Sequence, residues 1–186
     1  MSQPAGTQWQ AVDSYLLPFS ATVGPAVVDA DIARCYTRTP AGAVFAAVHG
    51  SWRYQRTSDW GAAAQHLLAP GPGREAYLAQ RAARSGPNAG PVPPASGDDS
   101  PQTIGFRVLE YSLDRARVDV LTQPFEGGVL THNVWNVLWL EGDWRIEVPA
   151  GGNPPTPTPA GSADAFVEWD QTTMRPAGAD PPGPSR

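Results

Sequence analysis

The sequence contains no lysine, so all 13 of its basic residues are arginines, against 18 acidic residues. The formal net charge is −5 and the isoelectric point is about 5.0. Domains that bind nucleic acid usually have a pI above about 9 or a stripe of basic side chains, whereas the arginines here are scattered singly. We therefore expect no nucleic-acid partner.

Cysteine is nearly absent, because Cys35 is the single one. One thiol excludes an internal disulfide framework and a cysteine-based zinc site. No stretch of about 18 consecutive apolar residues occurs either, which predicts no membrane-spanning helix in this chain. Residues 1–10 are polar and have neither the basic nor the apolar region of a signal peptide, so we expect none there.

Proline and glycine are abundant, with 21 and 19 residues, and seven tryptophans accompany them. The prolines and glycines cluster in residues 85–101, 150–165 and 176–186, where neither a helical nor a strand period can continue. Such segments bury too little apolar surface to offset the entropy of ordering them. This placement predicts a flexible N-terminal segment at 1–23, one domain at 24–149 with a Pro/Gly-rich loop at 85–101, and a mostly disordered tail at 150–186.

The front half of the predicted domain has helical periodicity. Thr39 and Pro40 form a start signal, since threonine is a good N-cap and proline fits the first helical position. The apolar spacing that follows predicts a helix over residues 40–56. Thr57 or Ser58 is the predicted cap of a second helix that ends at residue 68, and residues 74–84 form a third. A short helix or turn is predicted over residues 28–36.

Residues 102–149 alternate between apolar and polar side chains, which is typical of half-buried strands. Turns near residues 114–115, 125–128 and 141–143 divide this region into four strands, of which the third covers residues 129–140. Strands joined by such short turns are antiparallel, because a parallel crossover needs a dozen or more residues. The predicted fold class is α+β, with N-terminal helices packed on a curved antiparallel sheet of four or more strands.

The last predicted hairpin, residues 139–146 (WLEGDWRI), has an acidic Gly-Asp turn before a tryptophan. With helices preceding the strands, it resembles the nuclear-transport-factor-2-like (cystatin-like) superfamily. That resemblance implies a cone-shaped pocket between helices and sheet, which serves catalysis in some members, and a sheet that often supports dimerisation.

Three further blocks carry a closer resemblance: Gly24-Pro25, residues 39–48 (TPAGAVFAAV) and residues 105–120 (GFRVLEYSLDRARVDV). Over residues 24 to about 151 the chain resembles an uncharacterised actinobacterial family of conjugation-associated proteins that are often membrane-anchored. The resemblance implies a place at the extracytoplasmic face of the cell membrane if an N-terminal anchor is missing here. Otherwise the expected location is the cytoplasm.

Three side chains are candidates for acid–base chemistry: His49 in the first helix, and Asp119 and His132 on predicted strands. Each also has a structural interpretation. His49 could bond a carbonyl, Asp119 could pair across strands with an arginine such as Arg107, and His132 could be partly buried beside Val134. The three histidines are far apart in sequence and none has a partner at zinc-ligand spacing, so no metal site is predicted.

Cys35 and Trp169 each give a separate prediction. Cys35 has no nearby base or oxyanion signature, so we expect it to be a buried packing residue beneath the first helix. Trp169 lies in residues 164–169, the one tail stretch with strand or short-helix character, and we expect this stretch to dock on the domain or on a partner. No phosphate-cradling loop or dinucleotide fingerprint occurs, so no cofactor is predicted.

Two functions follow from these observations. The first is a non-catalytic interaction or assembly domain, an accessory component of a conjugative or secretion apparatus as the resemblance implies. Its partners would be proteins, either a second copy bound through the sheet or components of the membrane apparatus. The alternative is a small-molecule-binding protein, or a hydrolase or isomerase, that uses the cone-shaped pocket. Polar side chains converging in one closed pocket would favour the enzyme.

Overall fold

The structure of the chain, a computed structural model, describes residues 2–12, 15–29, 31–84, 101–124 and 128–175. Within these residues the chain forms ten strands and three helices. In chain order they are β1 (Gln8–Val12), β2 (Tyr15–Phe19), β3 (Val27–Asp29), β4 (Ile32–Arg34), α1 (Pro40–Arg56), α2 (Trp60–Leu67), α3 (Pro72–Arg84), β5 (Gln102–Tyr111), β6 (Arg115–Gln123), β7 (Thr131–Leu140), β8 (Asp143–Glu147), β9 (Thr158–Pro159) and β10 (Val167–Glu168).

Helix α1 is the central element, and it begins where the sequence predicts. The Thr39 hydroxyl accepts a hydrogen bond from the Gly42 N–H at 3.1 Å, and the proline that follows Thr39 opens the first turn. Residues 42–50 are all buried, so this part of the helix is enclosed on every side. A Cβ on Gly50 would lie 2.7 Å from Ile146 Cδ1, so α1 and β8 pack closely at this position.

Helices α2 and α3 start at residues other than those predicted. The carboxylate of Asp59 caps α2 by accepting a first-turn N–H at 3.2 Å, so the predicted caps Thr57 and Ser58 are wrong. Thr57 instead ends α1, where its N–H donates to the Arg53 carbonyl at 3.1 Å. Helix α3 begins two residues before the predicted start. None of the helices in the described ranges combines the length and the hydropathy needed to cross a membrane.

Strands β5 to β8 form the predicted antiparallel meander, and the chain extends it further. The strand order is β10-β5-β6-β7-β8, all pairings are antiparallel, and β9 pairs with the start of β7. The described part of this sheet has six strands, and the predicted α+β class is confirmed. The predicted start of the third strand at residue 129 is wrong, since β7 begins at Thr131. The predicted turn at 125–128 lies largely outside the described residues.

Residues 28–36 do not form the predicted short helix or turn. Strands β3 and β4 pair there as an antiparallel hairpin, with Val28 opposite Ala33. Ala33 is buried in the core and the hairpin contacts α1. This tertiary contact, together with the strand preference of the valines and isoleucine, outweighs the weak helical pattern.

The main sheet has two distinct faces, which we call inner and outer. The inner face packs against α1 and includes Phe106, Val118 and Trp135, all buried. The outer face carries the alternate positions, among them Asp119 and Leu121, and both of these are also fully buried. Burial on both faces means that a further segment covers the outer face at this point.

The N-terminal segment 1–23 differs from the flexible segment that the composition predicts. Strands β1 and β2 form an antiparallel hairpin that packs on α1, and Trp9 and Leu17 are fully buried. The sequence does not indicate this hairpin, because β2 contains Pro18 and proline is uncommon inside strands. Burial of the apolar side chains offsets the entropy cost of ordering the segment.

Residues 150–175 differ in the same way from the predicted disorder, while 176–186 lie outside the described residues. The side chain of Trp169 is 7% exposed, and its ring lies 4.8 Å from that of Trp9 and 5.1 Å from that of Phe106. Beyond it, the Trp9 N–H donates to the Thr173 carbonyl at 2.8 Å. The stretch 164–169 therefore docks on the domain, as the sequence suggests, and the tail also joins the N-terminal hairpin.

Candidate functional site

A charged cluster lies on the outer face, formed by Arg107 on β5, Asp119 on β6 and His132 on β7. Asp119 is fully buried. Its Oδ2 accepts hydrogen bonds from Arg107 Nε at 2.9 Å and Nη2 at 2.8 Å, and its Oδ1 lies 2.9 Å from His132 Nδ1. The expected cross-strand pairing of Asp119 with Arg107 is present, because the two residues are direct partners in the β5–β6 register.

Phe166, just before β10, covers this cluster. Its ring centre lies 4.5 Å from the guanidinium carbon of Arg107 and 6.0 Å from the imidazole centre of His132. A Cβ on Gly105 would lie 3.5 Å from Phe166 Cβ and 3.6 Å from a methyl group of Leu121. The tail therefore closes the outer face over the start of β7 and the middle of β6.

The Asp119–His132 pair resembles the orienting half of an acid–base site. A carboxylate on Nδ1 fixes the tautomer of the neutral ring, with Nδ1–H as the donor and Nε2 as an acceptor. Within the described residues, the His132 ring makes one hydrogen bond, which is to Asp119. No hydroxyl or thiol group among those residues bonds to the ring. The pair thus lacks a nucleophile to activate there, and its contacts anchor three strands and the tail.

His49 occupies a different place, between α1 and the N-terminal hairpin. It is fully buried, with Nε2 at 2.7 Å from the Pro18 carbonyl oxygen and Nδ1 accepting from Arg53 Nε at 3.4 Å. Burial and the neighbouring Arg53 lower the pKa of His49 well below 6.5. The ring is therefore neutral, and Nε2–H donates to Pro18. The structural interpretation of His49 fits this geometry, since the ring ties β2 to α1.

Cys35 lies on the surface, so the prediction of a buried cysteine is wrong. Its φ of 66° places the backbone in the left-handed region at the end of β4. Asp143 holds this turn, because its carboxylate accepts hydrogen bonds from the Cys35 N–H at 2.6 Å and the Tyr36 N–H at 3.0 Å. Burial raises the pKa of Asp143 above its usual value, and these hydrogen bonds partly counteract that shift.

A cavity of about 250 Å³ lies between the last turns of α1 and the inner face. We call it the α1 cavity. Tyr15 and Trp52 form one wall with their rings stacked 4.3 Å apart, and Trp135 belongs to the sheet side. Thr131 and Asn133 add polar groups from β7. Residues 154–157 of the tail lie over it, where the Asn133 side-chain amide donates to a proline carbonyl at 2.7 Å.

The ionisable side chains of this cavity, within the described residues, are Tyr15 and Arg56. Burial raises the pKa of Tyr15 to about 12, so its phenol is protonated at neutral pH. The guanidinium carbon of Arg56 lies 4.4 Å from the centre of the Trp52 ring. No described aspartate, glutamate, histidine or cysteine lines the cavity.

The structure thus joins two of the three candidate residues and separates the third. Asp119 and His132 meet on the outer face, whereas His49 lies beyond the inner face, and none of them lines the α1 cavity. Sequence reasoning did not find Arg56 or Phe166. The alternation over residues 166–169, which places Phe166 and Trp169 on opposite faces, is the signal that could have found Phe166.

The described residues show no arrangement of side chains suited to metal binding. No group of three or more His, Cys, Asp or Glu side chains there is arranged to hold an ion. In the outer-face cluster, both oxygens of Asp119 are engaged by Arg107 and His132.

Comparison with known proteins gives one match. No curated protein and no solved structure matches the chain. A family model described as "Domain of unknown function (DUF8175)" matches residues 1–168. The match extends beyond the predicted domain 24–149 and includes the N-terminal hairpin and the tail through β10. The chain therefore belongs to the DUF8175 family.

Proposed function

We propose that this chain is a non-catalytic interaction domain whose partner binds the uncovered part of the outer sheet face. We call that part the open half: Val134, Asn136, Leu138 and Leu140 on β7. The observation that carries the proposal is that these four residues are partly exposed on the outer face, beyond the contacts that Phe166 makes with Arg107 and His132. Three of the four are apolar, although an outer face turned to water is normally polar.

Charged pairs flank the open half on the neighbouring strands. Arg115 bonds Glu147 at 2.5 Å, and Arg117 bonds Glu110 at 2.6 Å. The surface therefore presents both signs of charge around an apolar row. Such a surface suits a two-fold dimer, because residue i of one copy contacts residue j of the other and the reverse contact is repeated, so positive and negative groups on opposite sides of the axis can pair. We assign a second copy of this chain as the partner.

A groove lies beside the open half, so this surface is not flat. It has a volume of about 340 Å³ and lies between Asn136 and Leu138 on one side and residues 69–74 on the other. Protein interfaces combine an apolar centre with a polar rim and good shape complementarity. The apolar row, the ion pairs and this groove together supply those components.

The proposal includes the class and setting that the sequence resemblance implies. Helix α1 against the inner face of an antiparallel meander, with α2 contacting β8, supports a nuclear-transport-factor-2-like arrangement. Residues 39–48 and 105–120 support a role as an accessory component of a conjugative or secretion apparatus, at the extracytoplasmic face of the membrane. Components of that apparatus are the partners that a dimer would recruit.

A hydrolase or isomerase in the α1 cavity has less support. General acid–base catalysis needs a titratable group within hydrogen-bond reach of the substrate. The described lining offers a protonated phenol and a guanidinium, and His49, Asp119 and His132 all lie elsewhere.

The test is sedimentation equilibrium of the full chain and of the variant Leu138→Glu. We expect the chain to dimerise and the variant to raise the dissociation constant by about tenfold or more, because a carboxylate would have to be buried in the apolar row. Leu138 faces Arg115 and Arg145 across the strands, so the glutamate has partners in the monomer and the fold should persist.

Val129→Glu is the matched control, because Val129 is 65% exposed and lies outside the open half. It should dimerise like the unmodified chain. A chain that stays monomeric at every concentration, or a Leu138→Glu variant that dimerises unchanged, would contradict the assignment.

A further inference from the structure

Within the described residues, the α1 cavity contains one guanidinium, that of Arg56, without a carboxylate partner. Within the described residues, Arg56 makes no ion pair and no hydrogen bond, and its one interaction of note is with the Trp52 ring at 4.4 Å. The side chain is partly withdrawn from water. By contrast, Arg38, Arg107, Arg115, Arg117 and Arg145 all pair with carboxylates. A guanidinium has five donors in a planar fork, so one left unpaired beside a cavity favours an anionic ligand.

The walls of the cavity favour a flat apolar body next to that charge. The rings of Tyr15 and Trp52 stack on each other at an interplanar angle of 13°, which leaves their remaining faces and edges to a ligand, and Trp135 lies among the lining residues from the sheet. Aromatic side chains bind planar groups by stacking and edge contacts. Thr131 and Asn133 supply hydrogen-bonding groups at the sheet side.

The volume and the charge of the cavity further limit the class of ligand that it can bind. Its volume of about 250 Å³ is below the range of about 300–1,000 Å³ that drug-sized ligands occupy. Burial lowers the pKa of Arg56, but a guanidinium keeps its charge at neutral pH. Among the described lining residues, Arg56 therefore carries the one formal charge, and it is positive although the chain has a net charge of −5.

We propose that the α1 cavity binds a small aromatic anion, with its carboxylate or phosphate on Arg56 and its ring against Tyr15 and Trp52. This site lies on the inner side of the sheet, so it is independent of the dimerisation proposed for the outer face. The ligand is bound and released without a chemical step, because the described lining has no aspartate, glutamate, histidine or cysteine to act as a base or to activate a hydroxyl.

The probes are benzoate and its neutral isostere benzamide, titrated into the full chain and followed by the indole N–H signals of the tryptophans in NMR spectra. We expect saturable shifts of the Trp52 and Trp135 signals with benzoate. Trp169, which lies in a separate pocket against Trp9, should not shift. Benzamide should bind at least about tenfold more weakly, because it cannot form a charge-assisted pair with Arg56. Phenyl phosphate tests whether the site prefers phosphate over carboxylate.

Two substitutions at residue 56 distinguish the effect of losing the positive charge from the effect of changing the shape of the side chain. Arg56→Gln should weaken benzoate binding about tenfold, whereas Arg56→Lys keeps the charge and should retain part of the affinity. The control Arg84→Gln alters an exposed arginine at the end of α3 and should bind like the unmodified chain. Absence of saturable shifts with both benzoate and phenyl phosphate would overturn the proposal. So would equal affinity for benzoate and benzamide, or unchanged binding by a folded Arg56→Gln variant.

Discussion

Replacement of Trp169 by alanine tests whether the tail is part of the folded domain. The indole is 7% exposed and contacts the rings of Trp9 at 4.8 Å, Phe106 at 5.1 Å and Phe45 at 6.3 Å. Trp169→Ala would leave a cavity among three aromatic side chains from three different elements. It would also loosen β10, which pairs with β5 directly before this residue.

The expected cost is about 3 kcal/mol in the free energy of unfolding. Truncation of a buried Trp to Ala usually costs about 3–5 kcal/mol. The lower end applies here, because the buried indole N–H of Trp169 has no acceptor within the described residues and its removal relieves that penalty. With a urea m-value of about 1–3 kcal/mol/M, the midpoint should fall by about 1–3 M.

Urea unfolding followed by far-UV circular dichroism measures this change without relying on tryptophan fluorescence. Met174→Ala is the matched control, since Met174 lies in the same tail and is 51% exposed. The control should stay within about 0.5 kcal/mol of the unmodified chain. If Trp169→Ala is as stable as that control, the tail does not dock and the reasoning fails.

Four further substitutions give measurable outcomes. Asp119→Ala should lower the unfolding free energy by about 2–3 kcal/mol in urea titrations, less than for a fully buried pair because one partner is partly solvated. Burial holds the pKa of His49 below 6.5, so the unfolded chain binds more protons below that pH. Stability should therefore fall by up to about 1.4 kcal/mol per unit as pH drops below 6.5, and His49→Gln should remove that part of the slope in parallel titrations. Gly42→Ala should destabilise by more than about 1 kcal/mol, since its Cβ would meet the Thr37 carbonyl oxygen at 1.9 Å. Gly61→Ala in α2, where the nearest atom is at 3.9 Å, should stabilise by about 0.5–1 kcal/mol in thermal scans.

The elements that could be predicted from the sequence are those with strong local signals. The Thr39-Pro40 start of α1 and the alternation across β5 to β8 require no distant partner to be recognised. The hairpin of β1 and β2 and the tail could not be found in this way. Their ordering depends on contacts between residues far apart, such as the hydrogen bond between Trp9 Nε1 and the Asp170 carbonyl at 2.8 Å.

The same distinction explains the candidate site. Alternation places Asp119 and His132 on the outer face, but the register that brings them to 2.9 Å depends on pairing between β6 and β7. Arg56 gives no sequence signal, because an arginine in the last turn of a helix is common and favourable. Arg56 becomes a candidate ligand-binding residue because no carboxylate is present among the described residues that line the α1 cavity.

The most direct test of the interaction role is disulfide trapping across the open half. Asn136 lies at the centre of this surface, and residues near a two-fold axis meet their own copies. Asn136→Cys in a Cys35→Ser background should form a covalent dimer under mild oxidation, whereas Val129→Cys in the same background should not. A covalent dimer with Asn136→Cys alone is the predicted result. No dimer with Asn136→Cys, or equal trapping by both variants, would contradict dimerisation through the outer face.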